Sequence, residues 1–294
     1  MKSSIILIAN PTAQKASGRK VAMASYHLQS KGYSVEVLFT RKRGDAETLA
    51  REAALQRPHL IIAGGGDGTY NEVVNGIAGT GIPMAILPLG TTNVLARELD
   101  IPDKVQGAMD RALRGTTHLI SLGKITLPDT LPVLSRYFIL MAGIGYDASA
   151  VHGTNERLKK YSGQGAYIVS GMKTLLKFHP SLLTFTIDGV EHQGYSGIIG
   201  NAAKYGGDFS VTPDADLSNP FLYVCIFKSR TRVDIARYVF GILRGTHLQY
   251  RDVVYIKAER VVVTGKADIQ IDGDYLGITP AVVEIVPDAL RLVY

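Results

Sequence analysis

Residues 61–72 read Ile-Ile-Ala-Gly-Gly-Gly-Asp-Gly-Thr-Tyr-Asn-Glu, and this run decides how the rest of the chain is read. The apolar segment at residues 59–63 runs into three glycines, an acid, a fourth glycine and a threonine, and apolar spacing resumes at Val73, Val74 and Ile77. That order predicts a strand, a tight loop and the start of a helix. Gly64, Gly65, Gly66 and Gly68 admit positive φ angles and carry no Cβ to hold a phosphate away from backbone N–H groups. The helix start adds unpaired donors and the positive end of its dipole. Asp67 is the odd member, because a carboxylate in a phosphate loop repels its own ligand unless a cation lies between them. A divalent ion carried by the phosphates resolves the conflict. The plainer alternative, a glycine-rich turn without a ligand, is disfavoured by the strand before it and the helix after it. The Walker pattern G-x-x-x-x-G-K-[ST] is absent from the chain.

Around this run the first 120 residues alternate strand and helix. Strands are predicted at residues 4–9, 33–39 and 84–87, with helices at 19–30, 45–56, 94–99 and 103–114. Such alternation is the pattern of a parallel sheet covered on both faces, whose ligands sit beyond the carboxyl ends of the strands. Three loops then converge: Asn10, Pro11 and Thr12; the run from Gly64 to Thr69; and Gly90, Thr91, Thr92 and Asn93. Each carries a small or hydroxylated residue suited to phosphate or ribose.

With 294 residues, 46% hydrophobic and 20% charged, the chain has material for two domains of about 150 residues each. The net charge of +6 favours an anionic partner without choosing among nucleotide, acidic lipid and nucleic acid. The basic runs at 41–43 and 157–160 are short and lack interleaved aromatics, which argues against a nucleic-acid surface. The single cysteine, Cys225, reads as a buried strand thiol. The apolar run at residues 5–9 is halted by Asn10-Pro11 and is too short for a signal peptide, and no segment has the length to span a bilayer. A cytoplasmic protein that reaches any lipid substrate from the membrane surface is the expectation.

From about His118 the texture changes to strands, predicted at residues 118–126, 136–142, 183–187, 195–200, 221–227, 253–258, 260–264, 269–272 and 281–286. Asp188-Gly189 and Asp272-Gly273 are hairpin signals. Helices are predicted at 165–177 and 233–243. The second half is therefore mainly antiparallel, with a boundary near residues 117–124. The turn at residues 143–148, Gly-Ile-Gly-Tyr-Asp-Ala, imitates a dinucleotide fingerprint but lacks the later acid.

Taken together, these motifs resemble the diacylglycerol kinase catalytic family, soluble bacterial lipid kinases related to sphingosine and ceramide kinases. The residues that carry the resemblance are Asn10-Pro11, Gly64 to Thr69 with Asn71-Glu72, and Pro88 to Asn93 with Ala96-Arg97. Later come Gly143 to Asp147, Asn201 with Gly206-Gly207, Pro213-Asp214-Ala215, and Asp272-Gly273 followed by an acid. The resemblance implies an α/β nucleotide-binding domain with a parallel sheet over residues 1–120 and a mainly antiparallel β-sandwich, lipid-binding, over 121–280. The last strand, near 281–294, would return to the first domain.

The resemblance further implies transfer of the ATP γ-phosphate to a lipid hydroxyl. Gly66 to Glu72, Tyr70 and Asn71 included, would contact ATP with Thr40 and Thr91. Asp67 would hold its magnesium and Asp274 would be the general base. Three departures stand out. Asp274 replaces the family's usual glutamate, Ala13-Gln14-Lys15 replaces Ser-Gly after Asn-Pro, and Asn219-Pro220 replaces an Asp-Gly near which a structural magnesium binds. Asp216 and Asn219 are the oxygens left for that second metal. A kinase with a soluble acceptor such as NAD, and a nucleotide- or lipid-binding regulator without catalysis, are the competing readings. The sequence leaves the acceptor lipid and any homo-oligomer open.

Overall fold

The computed structural model describes residues 3–14, 17–146, 148–149 and 180–294. The helix expected at 165–177 and Asp147 lie outside the described residues. The chain divides into two compact units, residues 1–120 with 288–294, and residues 121–287.

The first unit is built from β1 (Ser4–Ala9), α1 (Ser17–Ser30), β2 (Ser34–Phe39), α2 (Asp45–Leu55), β3 (Leu60–Gly65), α3 (Asp67–Ile77), β4 (Pro83–Pro88), α4 (Val94–Glu98) and α5 (Val105–Arg114). The strands are parallel in the order β2-β1-β3-β4. The apolar runs of β1, β3 and β4 are buried on both faces, as a helix-covered parallel sheet requires, while β2 at the edge is half-exposed. Val21, Ala24 and Leu28 of α1 and Val73, Val74 and Ile77 of α3 are the helical residues that bury against it, at spacings of three and four. α2 contributes only alanines, Ala46, Ala50 and Ala53, and α3 meets it at Gly76. A Cβ on Gly76 would stand 2.5 Å from the Glu47 carbonyl oxygen, so the two helices approach closer than any other residue permits.

Register aligns the ends of the strands. Ala9 is level with Phe39 and Gly64, and Gly65 with Pro88. The loops after β1, β2, β3 and β4 consequently leave the sheet at one edge.

The second unit is an antiparallel β-sandwich. It comprises β5 (Thr117–Leu127), β6 (Leu134–Phe138), β7 (Met141–Ile144), β8 (Leu183–Ile187), β9 (Val190–Gly194), β10 (Ser196–Gly200), the short pair β11 (Lys204–Tyr205) and β12 (Phe209–Ser210), and β13 (Leu222–Phe227). There follow α6 (Arg232–Arg244), β14 (Val253–Ala258), β15 (Arg260–Thr264), β16 (Asp268–Ile271), β17 (Asp274–Ile278) and β18 (Ala281–Val293). One layer runs β14-β13-β10-β7-β16-β17; the other contains β9, β8, β15 and the first half of β18. Phe138, Phe185, Ile199, Val224, Val261, Ile269 and Val283 belong to the core they share. Cys225 is fully buried in β13, and burial pushes its thiol up to about 12. β18 changes allegiance along its length: Ala281 to Glu284 pair with β15, while Arg291 and Leu292 pair in parallel with Pro83 and Met84 of β4.

The single strand expected at 136–142 is in fact two, β6 and β7, broken at Ile139-Leu140. The cause is distant in sequence. The Asp272 carboxylate accepts the N–H groups of Ile139 and Leu140 at 2.8 Å and of Met141 at 3.0 Å, which satisfies backbone donors there without a strand partner. Asp272 and Gly273, at φ 47° and 84°, are the two central residues of the β16–β17 hairpin, the turn that Asp-Gly predicts. Asp188-Gly189 repeats the design between β8 and β9, with the Asp188 carboxylate accepting the N–H of Arg260 at 2.8 Å. β9 and β17 were not anticipated, because Val-Glu-His-Gln-Gly and Asp-Tyr-Leu-Gly-Ile carry no clear apolar alternation.

Replacing Asp272 with alanine removes the acceptor of three backbone donors. The expected loss is about 3 kcal/mol, read as a lowered urea midpoint at unchanged slope, with asparagine recovering part of it.

Candidate active site

The three loops of the first unit are fastened to one another through backbone atoms. The Gly65 carbonyl accepts the N–H of Leu89 at 2.8 Å, the N–H of Gly90 at 3.0 Å and the hydroxyl of Tyr70 at 2.7 Å. The N–H of Asn10 donates to the Gly64 carbonyl at 2.8 Å, and Gln14 Nε2 to the Gly90 carbonyl at 2.7 Å. First, second and third loops are thus linked pairwise. Gly66 and Gly90 touch: a Cβ on Gly90 would lie 2.6 Å from the Gly66 Cα. A Cβ on Gly65 would lie 2.3 Å from the Thr69 hydroxyl oxygen.

The side chains divide into those that build the loops and those that line them. Asn10 Oδ1 accepts the N–H and the hydroxyl of Thr12, folding the turn around Pro11. Asn93, at φ 48°, closes its own loop by exchanging two hydrogen bonds with Gly90. Tyr70 is fully buried, and burial first, then Asp67 and Asp103, drive its hydroxyl well above the usual range. Asn71 is buried, and its amide oxygen and carbonyl accept Asn75 Nδ2. Thr40 follows β2, its N–H on the Ala9 carbonyl. Thr91 is exposed, while Gly68, Thr69 and Thr92 are half-buried.

Glu72 serves the neighbouring helix. Its carboxylate accepts the N–H of Gly44 at 2.9 Å and of Ala46 at 3.1 Å, capping α2 from the neighbouring helix. Gln14 was not singled out for a role by sequence; an amide that bridges two loops leaves no pattern in one chain.

Asp67 likewise holds backbone. Its Oδ2 accepts the N–H of Val94 and its Oδ1 that of Leu95, each at 3.0 Å, in the first turn of α4. Burial raises its carboxyl above the usual aspartate range, against the lowering effect of the Leu95 and Val94 amides. The Asp67 N–H bonds to the same carboxylate, and of its roughly four lone-pair sites one is left for a further contact. That fits a magnesium ion brought in by phosphates, which retains much of its water shell and takes one or two carboxylates. Among the described residues no group of three His, Cys, Asp or Glu side chains assembles into a protein cage for a metal. At the suggested second site Asp216 is exposed and its Oδ1 accepts the Ser218 N–H in a local turn at 2.7 Å, with Asn219 half-buried beside it. One carboxylate already engaged in a turn is a poor fit for magnesium, and no step is assigned to a metal there.

Asp274 begins β17 directly after the Asp272-Gly273 turn and is half-buried. Its position rests on Asp272 and on the Gly273 N–H, which donates to Gln270 Oε1 at 2.8 Å. Asn201, fully buried, donates to the Ser121 and Ile139 carbonyls and so braces the same 139–141 segment.

The raised carboxyl of Asp67 gives a signed pH dependence. The folded chain takes up this proton more readily than the unfolded one, so the contribution favours folding at low pH and is lost as pH rises from about 3.9 through the raised folded value. Denaturant midpoints in metal-free buffer will show wild type losing ground to Asp67→Asn as pH rises through that window. Separately, Gly90→Ala drives a methyl into Gly66 backbone and is expected to cost about 2 kcal/mol.

Among the described residues no helix is long and apolar enough to cross a membrane. Residues 4–125 match the diacylglycerol kinase catalytic domain, and residues 141–294 match the YegS C-terminal NAD kinase beta sandwich-like domain. A diacylglycerol kinase of Bacillus subtilis (strain 168) is 33% identical over 282 residues, covering 93% of this chain and 90% of that protein. One from Staphylococcus aureus (strain MRSA252) is 31% identical over 288 residues, covering 96% and 89%. The crystal structure of a diacylglycerol kinase from Bacillus anthracis str. Sterne superposes with a TM-score of 0.76 at 23% identity, covering 99% of this chain and 97% of that one. Yeast NADH kinase complexed with NADH shares the fold more distantly, at a TM-score of 0.54 and 10% identity over 99% and 83% of the two chains. With family matches spanning both halves and relatives above 30% identity along nearly its whole length, the chain belongs to the diacylglycerol kinase catalytic family of lipid kinases.

Proposed function

We propose that this chain transfers the γ-phosphate of ATP to the hydroxyl of a lipid alcohol such as diacylglycerol, acting from the cytoplasm at a membrane surface. The observation that supports the reading best is the closure of the Gly65, Gly66 and Gly90 backbones on one another beside an open helix start. The eleven-residue α3 has Gly66 as its N-cap and no side chain capping it; the Thr69 N–H turns back to the Gly66 carbonyl at 2.9 Å, and the Gly68 N–H beside it at the positive end of the helix is the donor offered to a phosphate oxygen. Family membership supplies the reaction class.

In this reading the glycine backbone admits the phosphates where a Cβ would exclude them, and the α3 dipole favours their charge. Asn10, Pro11, Thr12, Thr40, Gly64 to Glu72 and Gly90 to Asn93 form the nucleotide side, with Tyr70, Glu72 and Asn93 acting as supports for the residues that touch ATP. Asp67 would hold the magnesium that accompanies ATP, and that ion supplies neutralisation of the phosphate charge. Asp274 accepts the proton of the lipid hydroxyl as its oxygen bonds to the γ-phosphorus. The bond from that phosphorus to the bridging oxygen breaks, and ADP leaves with the electron pair. Aspartate is one methylene shorter than glutamate and must stand closer to the hydroxyl or act through water.

Transfer of labelled phosphate from ATP into extracted lipid, with magnesium, tests the proposal. Asp274→Ala is expected to lower transfer by about 100-fold or more while leaving ATP affinity intact, and Asp274→Glu to retain a measurable part of it. Asp67→Ala is expected to lose transfer as well. Absence of label in every lipid class for the wild type, or variants as active as the wild type, would overturn the proposal. Labelling of NAD without any lipid would favour the soluble-acceptor reading, and tight ATP binding without turnover the regulator.

A further inference from the structure

α6 presents a face that the β-sandwich does not use. Its inner side is firmly seated. Ile235, Tyr238 and Gly241 are buried, and a Cβ on Gly241 would lie 2.7 Å from the Tyr250 ring. The Tyr238 hydroxyl, Ser229 Oγ and Arg237 all donate to Asp252. Thr231 caps the first turn, and Gly245, at φ 67°, ends the last. The helix is fixed in rotation, so what it turns outward is a property of the fold.

The outward centre is apolar. Val233 is 79% exposed and Phe240 52% exposed. Seven residues apart, they fall on one line of a helix with about 3.6 residues per turn. Arg237 and Arg244 flank that line on one side, and Ala236 and Arg232 on the other. The Arg244 guanidinium lies 4.2 Å from the centre of the Phe240 ring. The surrounding segment is the basic part of the chain. Residues 228–252 hold six lysines and arginines against two aspartates, a net +4 where the whole chain carries +6.

Val233 and Phe240 in line form an exposed apolar strip rimmed by arginines, and a rimmed apolar patch marks a protein or membrane contact. An apolar line bordered by arginines is the pattern of a helix lying in the interface plane of a bilayer, its rings among the acyl chains and its guanidinium groups at the headgroup phosphates. A protein partner for this face would have to match positive charge on both borders of a narrow apolar strip, which an anionic membrane does without any specific fit. We infer that α6 is the element by which this protein docks on anionic membranes, with Val233 and Phe240 entering the bilayer and Arg232 and Arg244 at the level of the phosphates, while Arg237 stays paired with Asp252 and Asp234. The inference rests on the lipid-kinase reading above and names the surface by which that reading is carried out.

Sedimentation of the full chain with vesicles of phosphatidylcholine alone, and of phosphatidylcholine with phosphatidylglycerol, tests it without ATP or turnover. Wild type is expected to pellet with the anionic vesicles and not with the neutral ones. The paired change Val233→Ser with Phe240→Ser is expected to weaken binding by about tenfold, and Arg232→Gln with Arg244→Gln to remove the preference for phosphatidylglycerol. Unchanged circular dichroism and thermal midpoints will show that these surface variants fold. Binding of both variants equal to wild type overturns the inference, and so does a change in sedimentation-velocity mass on Val233→Ser with Phe240→Ser at unchanged vesicle binding, which would mark the face as a contact with a second copy. Phosphate transfer by the wild type in nonionic detergent micelles is measured in parallel. Transfer there together with α6-independent vesicle binding leaves the kinase reading standing while this inference falls.

Discussion

One carbonyl oxygen, that of Gly65, organises the loops at the edge of the first unit's sheet. It receives two backbone N–H groups from the loop after β4 and the hydroxyl of Tyr70 from the helix that the glycine run itself begins. No side chain can take part in such a junction at Gly65 or Gly90, because a Cβ there would stand 2.3 Å from the Thr69 hydroxyl oxygen and 2.6 Å from the Gly66 Cα. The glycines therefore have two duties. They keep side chains away from the mouth of the loops, and they let two loops pack backbone against backbone, which holds the ends of β3 and β4 together. Tyr70 ties this to the core: its ring is wholly buried under the sheet while its hydroxyl reaches the strand ends.

The acids around this junction illustrate how far sequence can be read. Asp67, Glu72 and Asp272 were visible as acids at telling positions, and all three turn out to receive backbone amides. A carboxylate near the start of a helix or beside a strand break has the same letter whether it holds a loop or a ligand. Only the identity of the donors separates the cases, and those donors lie 26 to 133 residues away. Asp272 and Asp274 show the point within three residues: the first is an anchor, and the second begins the strand that the anchor positions.

The fold was more legible than the site. Buried parallel strands need long apolar runs and helices need a stripe at three- and four-residue spacing, so residues 4–114 declare their elements locally. The β-sandwich declared its hairpins at Asp188-Gly189 and Asp272-Gly273 because positive φ selects those residues. Edge strands β9 and β17 stayed hidden, since half-exposed strands place little constraint on composition. The break at Ile139-Leu140 could not be seen at all, for its cause is a side chain more than a hundred residues on. The family motifs marked the loops that the structure fastens together but could not say which of their side chains hold backbone.

β18 carries a consequence for how the chain is made. The sheet of the first unit runs β2-β1-β3-β4, and its remaining partner is the end of β18, where Arg291 and Leu292 lie beside Pro83 and Met84 and the Gly79 N–H meets the Ala289 carbonyl. During synthesis every residue of the β-sandwich emerges before that last partner does. The β4 edge, with its apolar Met84, Ile86 and Leu87, must wait in the presence of a folding neighbour, the circumstance in which open strands find wrong partners. The early unit is thus a provisional structure on the ribosome, and its completion is timed by the arrival of residues 288–294.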